Sequence, residues 1–244
     1  MRRVVAWLVA VALCSVATHF LLQAYRPEPV TDLTPTGLAP PAAVPPPPAP
    51  PARAAESVPQ VDTAWVRRTA RRAGVPEPAV RAYARAMLMA PGSCEVGWTT
   101  LAGIGWVESQ HGTLGGRTLD DDGRSSSTIL GPALDGRGPV AAIPATSQST
   151  ALHGDPSWDH AVGQMQFIPS TWEQWGADGD GDGSADPNDI DDAAYAAARY
   201  LCAGGRDLAS ADGWSGGVFS YNHSAEYVAD VHAAASEYAA RTTR

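Results

Sequence analysis

The first 60 residues of this 244-residue chain limit how much of it can fold into a packed domain. An apolar run from Val4 to Leu22 follows two arginines, and it has about the length that spans a bilayer. From residue 26 to about residue 60 the chain is rich in proline and alanine, a composition that cannot build a core. The remaining residues, 61–244, are enough for one domain with a hydrophobic core.

The segment 1–25 predicts export from the cytoplasm. Arg2 and Arg3 precede the apolar run, which predicts a cytoplasmic N-terminus and an external remainder. Residues 23–27 offer no good small-x-small cleavage site, so an uncleaved membrane anchor is favoured over a cleaved signal peptide. Both interpretations give an extracytoplasmic domain at 61–244, with residues 26–60 as an extended tether or as disordered padding.

The charge of the chain argues against a nucleic-acid partner. The net charge is −9, and between residues 86 and 240 there are 21 acidic and 5 basic residues. Binding to a phosphate backbone needs clustered positive charge. We therefore expect no nucleic acid to bind.

The cysteines predict one disulfide. Cys14 lies in the apolar run, so Cys94 and Cys202 are the only thiols of the exported domain. In an oxidising compartment an intramolecular bridge between them is expected. Two free buried thiols are the alternative.

Helical patterns dominate the domain, which predicts a mainly α fold with minor β content (α+β). Residues 113–160 are rich in Gly, Asp, Ser and Pro and lack a period. They predict a long irregular insertion, with short strands near 127–129 and 140–143. Ser170 and Glu173 fit a capping box, which predicts a helix that ends near Gly176. The other predicted helices cover 62–72, 77–90, about 98–108, 190–203 and 224–240.

One glutamate has an unusual environment. Glu108 ends an apolar, glycine-containing helical stretch, Gly103-Ile104-Gly105-Trp106-Val107. Apolar neighbours disfavour a carboxylate and raise its pKa toward the range of a general acid. Most helical glutamates are solvated surface charges, so this signal needs support from other segments.

An aspartate-rich loop predicts a calcium site. Asp178-Gly179-Asp180-Gly181-Asp182-Gly183-Ser184 matches the opening of an EF-hand loop, in which carboxylates on a tight turn converge on one hard cation. A merely acidic, flexible turn is the alternative. The candidate ligands are Asp178, Asp180, Asp182, Ser184 and, as the last ligand, either Asp189 at the twelfth position or Asp192 three residues later.

Three segments, taken in order, resemble one enzyme family. They are the Glu108 stretch, Gly163-Gln164-Met165-Gln166-Phe167-Ile168-Pro169-Ser170-Thr171-Trp172 and Ser220-Tyr221-Asn222. Over residues 92–240 the chain is similar to the lytic murein transglycosylases of the membrane-bound type B family, which belong to the lysozyme-like superfamily. The resemblance implies a lysozyme-like domain that cleaves the β-1,4 bond between N-acetylmuramic acid and N-acetylglucosamine in peptidoglycan.

The resemblance also implies roles for individual residues. Glu108 would act first as the acid and then as the base, leaving 1,6-anhydro ends without water. The aspartate loop would hold structural Ca²⁺, with Asp192 favoured as the last ligand, and no organic cofactor is expected. Gln164 departs from the small residue or proline common at its position. The residues predicted to bind substrate are Ser109, Gln166, Tyr200, Tyr221 and Asn222.

Several expectations remain open. A muramidase could use the same Glu108 and let water attack, and a non-catalytic peptidoglycan-binding module could use only the groove and the loop. His111 and His223 have no partner motif for zinc or nucleophilic catalysis, so we expect both at the surface or at an edge. The expected partners are glycan strands and, through segment 1–25, the membrane. We expect a monomer.

Overall fold

The computed structural model describes residues 37–47, 58–138 and 140–243. The predicted membrane segment, Val4–Leu22, lies outside these ranges. None of the helices within them combines the length and the apolar character needed to cross a bilayer.

The described part of the chain is mainly helical, as predicted. Its β structure consists of isolated bridges, such as that between Leu130 and Val162, so the strands predicted near 127–129 and 140–143 are wrong. Glycines and prolines flank both short segments, Gly131 and Pro132 after the first and Pro139 and Pro144 around the second, which leaves too few residues for a ladder to extend. The helices are α1 (Thr63–Ala73), α2 (Glu77–Met89), α3 (Trp98–Ser109), α4 (Ser147–His153), α5 (Pro169–Trp175), α6 (Ile190–Leu201), α7 (Ala211–Tyr221) and α8 (Ala225–Thr242).

Helix α3 lies at the centre of the fold, and every residue from Trp98 to Gly105 is buried. Its glycines allow other helices to approach closely. A Cβ at Gly103 would lie 2.7 Å from the Val231 carbonyl oxygen of α8, and a Cβ at Gly105 would lie 2.0 Å from the Tyr83 hydroxyl of α2. The packing of α2 and α8 therefore fixes the position of the C-terminal end of α3, where Glu108 lies.

Helix α5 begins differently from the prediction. Pro169 is its first residue and Ile168 its N-cap, with no side-chain capping bond, so the Ser170–Glu173 capping box is wrong. Proline suits the first helical position because its φ is already helical and its missing N–H is not needed there. The helix ends before Gly176, as predicted.

Cys94 and Cys202 form a disulfide, with Cα atoms 5.5 Å apart, which confirms the predicted pairing. Cys94 lies just before α3, and Cys202 is the C-cap of α6. The bridge therefore joins the segment that leads into the Glu108 helix to the end of α6.

Part of the proline-rich segment contacts the domain. The Leu38 N–H donates to Ser215 Oγ (2.7 Å), and the indole N–H of Trp98 donates to the Val44 carbonyl (3.1 Å). Residues 37–47 belong to the same compact unit as the helices. This stretch of the predicted tether is packed against the domain surface.

Candidate active site

Glu108 lines a cavity of about 300 Å³ between the end of α3 and the loop that leads into α5. Four of the residues predicted from sequence to bind substrate line the same cavity: Gln166, Tyr200, Tyr221 and Asn222. Its other walls are Pro132, Leu134, Ala161, Phe167, Ile168 and Thr171. Residues from five separate stretches of sequence therefore meet around one carboxylate.

The pKa of Glu108 is raised from its usual value near 4.5 to about 7, because burial disfavours the charged form. A hydrogen bond from the Tyr227 hydroxyl to Oε1, 2.6 Å long, acts in the opposite direction and lowers it. Trp106 does not provide the apolar surroundings expected from the sequence, since it is 44% exposed. Adjacent helical residues point in different directions, and Glu108 is desolvated by the cavity walls instead.

Tyr227 is a site residue that the sequence reasoning missed. Its position in the apolar pattern of α8 indicated a core residue, and its ring is indeed buried. The ring stacks on Tyr221, with centroids 6.4 Å apart and planes 6° from parallel. A buried tyrosine hydroxyl needs a hydrogen-bond partner, and Glu108 supplies it.

The cavity tyrosines present ring surface to the cavity while their hydroxyls are engaged in the fold. The Tyr221 hydroxyl donates to the Met165 carbonyl (2.8 Å), and the Tyr200 hydroxyl donates to the Ser220 carbonyl. The two rings meet edge to face, with centroids 5.5 Å apart. They form an aromatic wall suited to the apolar face of a sugar ring.

Two amide side chains supply polar groups to the cavity. Gln166 has a left-handed backbone (φ 50°), and its Nε2 donates to the Gly163 carbonyl (2.8 Å). That bond orients the amide and leaves its oxygen without a donor among the described residues. Asn222 is exposed at the end of α7. Both amides can bond to sugar hydroxyl or acetamido groups.

Ser109 lies outside this cavity, in contrast to the prediction. It is 1% exposed, and its hydroxyl donates to the Gln164 carbonyl (2.6 Å) and accepts from the Gly112 N–H (2.8 Å). Gln164 is equally buried, and its Nε2 donates to the Asn188 and Gly123 carbonyls (2.8 and 3.1 Å). Both side chains join neighbouring loops through hydrogen bonds to their backbone and do not line the cavity.

His111 is buried, so its predicted surface location is wrong. It is 2% exposed and lies between two tyrosines, with Nδ1 3.0 Å from the Tyr83 hydroxyl and Nε2 2.9 Å from the Tyr238 hydroxyl. Burial lowers its pKa to about 3, so the ring is neutral. The two hydrogen bonds of His111 therefore connect the segment just after α3 to α2 and to α8. His223 is exposed.

The aspartate loop brings three carboxylates together. One oxygen each from Asp178, Asp180 and Asp192 lies within 4.8 Å of the others. Asp178 accepts from the Gly181 and Gly183 N–H groups (2.6 and 2.9 Å), which shapes the turn. Burial, together with the nearby negative charges, raises the pKa of Asp192 to about 7. Three hard oxygen donors this close together fit a divalent cation such as Ca²⁺.

The other predicted ligands have different contacts. Asp189 caps α6 by accepting from the Asp191 N–H (2.9 Å), so Asp192 rather than Asp189 joins the cluster. Asp182 Oδ1 accepts from the Ser184 N–H (2.8 Å), and neither residue belongs to the three-carboxylate group.

Comparison with known proteins gives one family. Residues 143–214 match the family model described as a transglycosylase SLT domain. No curated protein and no solved structure matches the chain. The matched stretch contains Gln166, Tyr200 and the aspartate loop, whereas Glu108 precedes it. The match supports the predicted relation to lytic transglycosylases of the lysozyme-like superfamily, which act on peptidoglycan; the type B assignment stays a prediction.

Proposed function

We propose that this protein is a lytic transglycosylase that cleaves the β-1,4 bond between N-acetylmuramic acid and N-acetylglucosamine, with Glu108 as its single catalytic carboxylate. One observation supports this most strongly. Among the described residues that line the cavity, Glu108 alone is acidic, and it has a raised pKa. Glycosidases with two catalytic carboxylates need the second one nearby, and this cavity does not supply it.

A single carboxylate is sufficient for the proposed reaction. Protonated Glu108 donates its proton to the glycosidic oxygen while the bond from muramyl C1 to that oxygen breaks. The resulting carboxylate accepts the proton of the muramyl C6 hydroxyl, whose oxygen bonds to C1 and closes the 1,6-anhydro ring. Glu108 is thereby protonated again and no water is consumed. A pKa near 7 suits a group that must both donate and accept a proton.

The chemistry of the new ends tests this proposal. The full chain is incubated with purified sacculi, and the soluble products are treated with borohydride. Anhydro ends carry no free aldehyde and resist reduction, as we expect. Reducible ends would show a muramidase in which water attacks. A protein that binds sacculi without releasing fragments would be a non-catalytic binding module.

We expect Tyr227→Phe to shift the pH dependence of cleavage to higher pH. Glu108 must be protonated to act as the acid, so activity should be constant below about pH 7 and fall above it. The Tyr227 hydroxyl lowers the pKa of Glu108. Its removal should therefore raise that pKa and move the falling limb up by about one pH unit.

Rates of sacculus cleavage between pH 5 and pH 9 provide the measurement. Tyr195→Phe is the matched control, because Tyr195 lies on α6 and does not line the cavity. If activity falls at the same pH in the wild type, Tyr227→Phe and Tyr195→Phe, the hydrogen bond does not change the pKa of Glu108.

We also propose that Asp178, Asp180 and Asp192 hold a structural Ca²⁺ ion. The cluster joins the loop to the first turn of α6, since Asp192 belongs to that helix. Asp192 also accepts from the Gly179 and Asp186 N–H groups (2.6 and 2.8 Å). A bound divalent ion would offset the mutual repulsion of the three carboxylates. The loop is not part of the cavity, so the ion has no direct role in cleavage.

Calcium is therefore expected to raise the melting temperature. An ion that binds only the native state adds roughly 2.7 kcal/mol at a hundredfold excess over its dissociation constant. For a domain of this size that corresponds to roughly 5–10 °C. Thermal melts in chelator and in millimolar calcium measure the difference. Asp180→Ala should abolish it, whereas Asp122→Ala, in another acidic loop, should preserve it. If the wild type melts at the same temperature in chelator and in calcium, the loop is only an acidic turn that binds no ion.

The location we propose is extracytoplasmic, with segment 1–25 as a membrane anchor. Two features support it: the disulfide suits an oxidising compartment, and the proposed substrate is cell wall. The anchor itself rests on the apolar run and the arginines that precede it.

A further inference from the structure

A second cavity, of about 350 Å³, lies on the other side of α5 from Glu108. Leu152, Pro169 and Trp172 form apolar walls, and Asp159 and Glu173 are its acidic residues. The two cavities share a wall, because the ring of Phe167 lines the first and contacts Trp172 of the second, with centroids 5.6 Å apart. None of the sequence patterns pointed to this second cavity.

Asp159 is a buried carboxylate that no arginine of the described residues contacts. It is 3% exposed, and its Oδ1 lies 3.2 Å from Nε2 of His153. Nδ1 of the same ring accepts from the Asp155 N–H (3.2 Å) and therefore carries no proton. The proton of a neutral ring then lies on Nε2, which donates to Asp159. This hydrogen bond orients the carboxylate but does not neutralise it.

The neighbouring imidazole of His160 already has a carboxylate partner, Asp155. The ring of His160 lies 5.2 Å from that of His153, and its Nδ1 donates to the Gly131 carbonyl (2.8 Å). The bond to Gly131 raises the pKa of His160, as do Asp155, 3.2 Å from Nε2, and the charge of Asp159. A protonated His160 ring would therefore pair with Asp155, the one carboxylate that lies within hydrogen-bond distance of it among the described residues. The carboxylate of Asp159 is thus buried at the cavity wall with an imidazole as its one side-chain hydrogen-bond partner among the described residues, an environment in which a bound cation is favourable.

The composition of the cavity selects the kind of cation. A metal ion usually needs three or more protein ligands. Within the described ranges, the one group of three His, Cys, Asp or Glu side chains close enough to hold a metal ion lies in the aspartate loop. Here two carboxylates stand beside an aromatic ring and aliphatic walls. That combination fits an ammonium group on an aliphatic chain, whose methylenes contact Leu152 and Trp172.

We propose that this cavity binds the free side-chain amine of a diamino acid in the peptide attached to the glycan strand. The inference rests on the proposed function, since that peptide is joined to the muramic acid whose bond is cleaved. An extended peptide reaches roughly 10 Å in three residues, about the width of one helix. A peptide that leaves the first cavity can therefore pass α5 and place an amine between Asp159 and Glu173.

Calorimetric titration of the full chain tests the site with two peptides that differ in one group. The first is Nα-acetyl-lysyl-D-alanyl-D-alanine; the second has the same sequence with its side-chain amine also acetylated. We expect saturable binding of the first and at least about tenfold weaker binding of the second. Equal binding of both, or binding of neither, would overturn the proposal.

Two variants locate the binding site. Glu173 is exposed, so Glu173→Gln should weaken binding of the amine peptide about three- to fivefold. Asp159→Asn keeps an oxygen for His153 and should weaken binding by about tenfold or more. Glu226→Gln, an exposed glutamate of α8 outside the cavity, is the control and should bind as wild type. Unchanged affinity in Glu173→Gln and in folded Asp159→Asn would place the amine elsewhere.

This test can fail independently of the proposed function. Peptide binding needs no cleavage, so a protein that forms anhydro ends but does not bind the amine peptide would overturn only the amine site. A protein that binds the peptide but releases no fragments would overturn the transglycosylase and leave an amine-binding wall module.

Discussion

Replacing Glu108 by glutamine is expected to lower the rate of glycan cleavage by about two to four powers of ten. The amide keeps the size of the side chain and can still accept the Tyr227 hydrogen bond, but it cannot deliver a proton to the leaving oxygen. The fold should be unchanged. Release of soluble fragments from sacculi gives the measurement, with Glu226→Gln as the matched control. Retention of more than a tenth of wild-type activity would overturn the role of Glu108.

The same substitution should stabilise the protein at alkaline pH. Glu108 has a pKa of about 7 in the folded protein and an ordinary value near 4.5. The folded state therefore binds more protons between these values, and wild-type stability falls as pH rises through this window. Ionisation of the buried Glu108 should lower the free energy of unfolding of the wild type by about 3 kcal/mol at pH 8 and by almost nothing at pH 4.

Urea unfolding of the wild type and Glu108→Gln at pH 4, 6 and 8 measures this effect. The stability difference should grow with pH in favour of glutamine. A constant difference across the three pH values would mean that Glu108 titrates normally and is not desolvated.

Loss of the disulfide is expected to have the second large effect. Cys94 and Cys202 are separated by 108 positions, and closing a loop of that size stabilises a protein by roughly 4–5 kcal/mol in the chain-entropy model. The double variant Cys94→Ala/Cys202→Ala should therefore melt roughly 10–15 °C lower. Reduced wild type, with both thiols alkylated, is the control and should be similarly weakened.

Intact mass after alkylation without reductant checks the bridge directly. No thiol of Cys94 or Cys202 should react in the folded protein. Two reactive thiols there, or a melting point unaffected by the double substitution, would contradict the bridge.

The sequence singled out Glu108 through its local context, and much of the cavity lining through the resemblance of three segments to one enzyme family. Glu108 ends a stretch whose apolar character shows that α3 is buried, and Gln166 and Tyr221 lie in recognisable segments. Tyr227 was missed because its spacing in α8 is that of a core residue, and its ring is indeed buried in the core. Only the three-dimensional arrangement shows that its hydroxyl reaches a carboxylate 119 positions away.

Long-range contacts also explain why His111 was misplaced. Its partners, Tyr83 and Tyr238, lie 28 and 127 positions away, so no local pattern marks it as buried. Burying a histidine ring in a core avoids a large free-energy cost only when both ring nitrogens have hydrogen-bond partners.

Helix α7 was not predicted because its glycines lower helix propensity. Close packing against the preceding turn requires two of them: a Cβ at Gly213 would lie 1.9 Å from the Asp207 carbonyl oxygen, and a Cβ at Gly217 would lie 2.9 Å from the Leu208 side chain. Ser210 caps the helix, and the indole N–H of Trp214 donates to Thr100 Oγ1 of α3 (2.9 Å). These contacts stabilise a helix that the sequence alone disfavours.

Digestion of sacculi in water enriched with oxygen-18 tests the central claim most directly. Ring closure by the C6 hydroxyl takes no atom from solvent, whereas hydrolysis adds one solvent oxygen to each new reducing end and none to the other end. Mass spectrometry of the products should show 1,6-anhydro-muramyl ends without oxygen-18, formed by the wild type and absent with Glu108→Gln. Reducing ends that each carry one oxygen-18 atom would contradict a transglycosylase and show that water attacks instead.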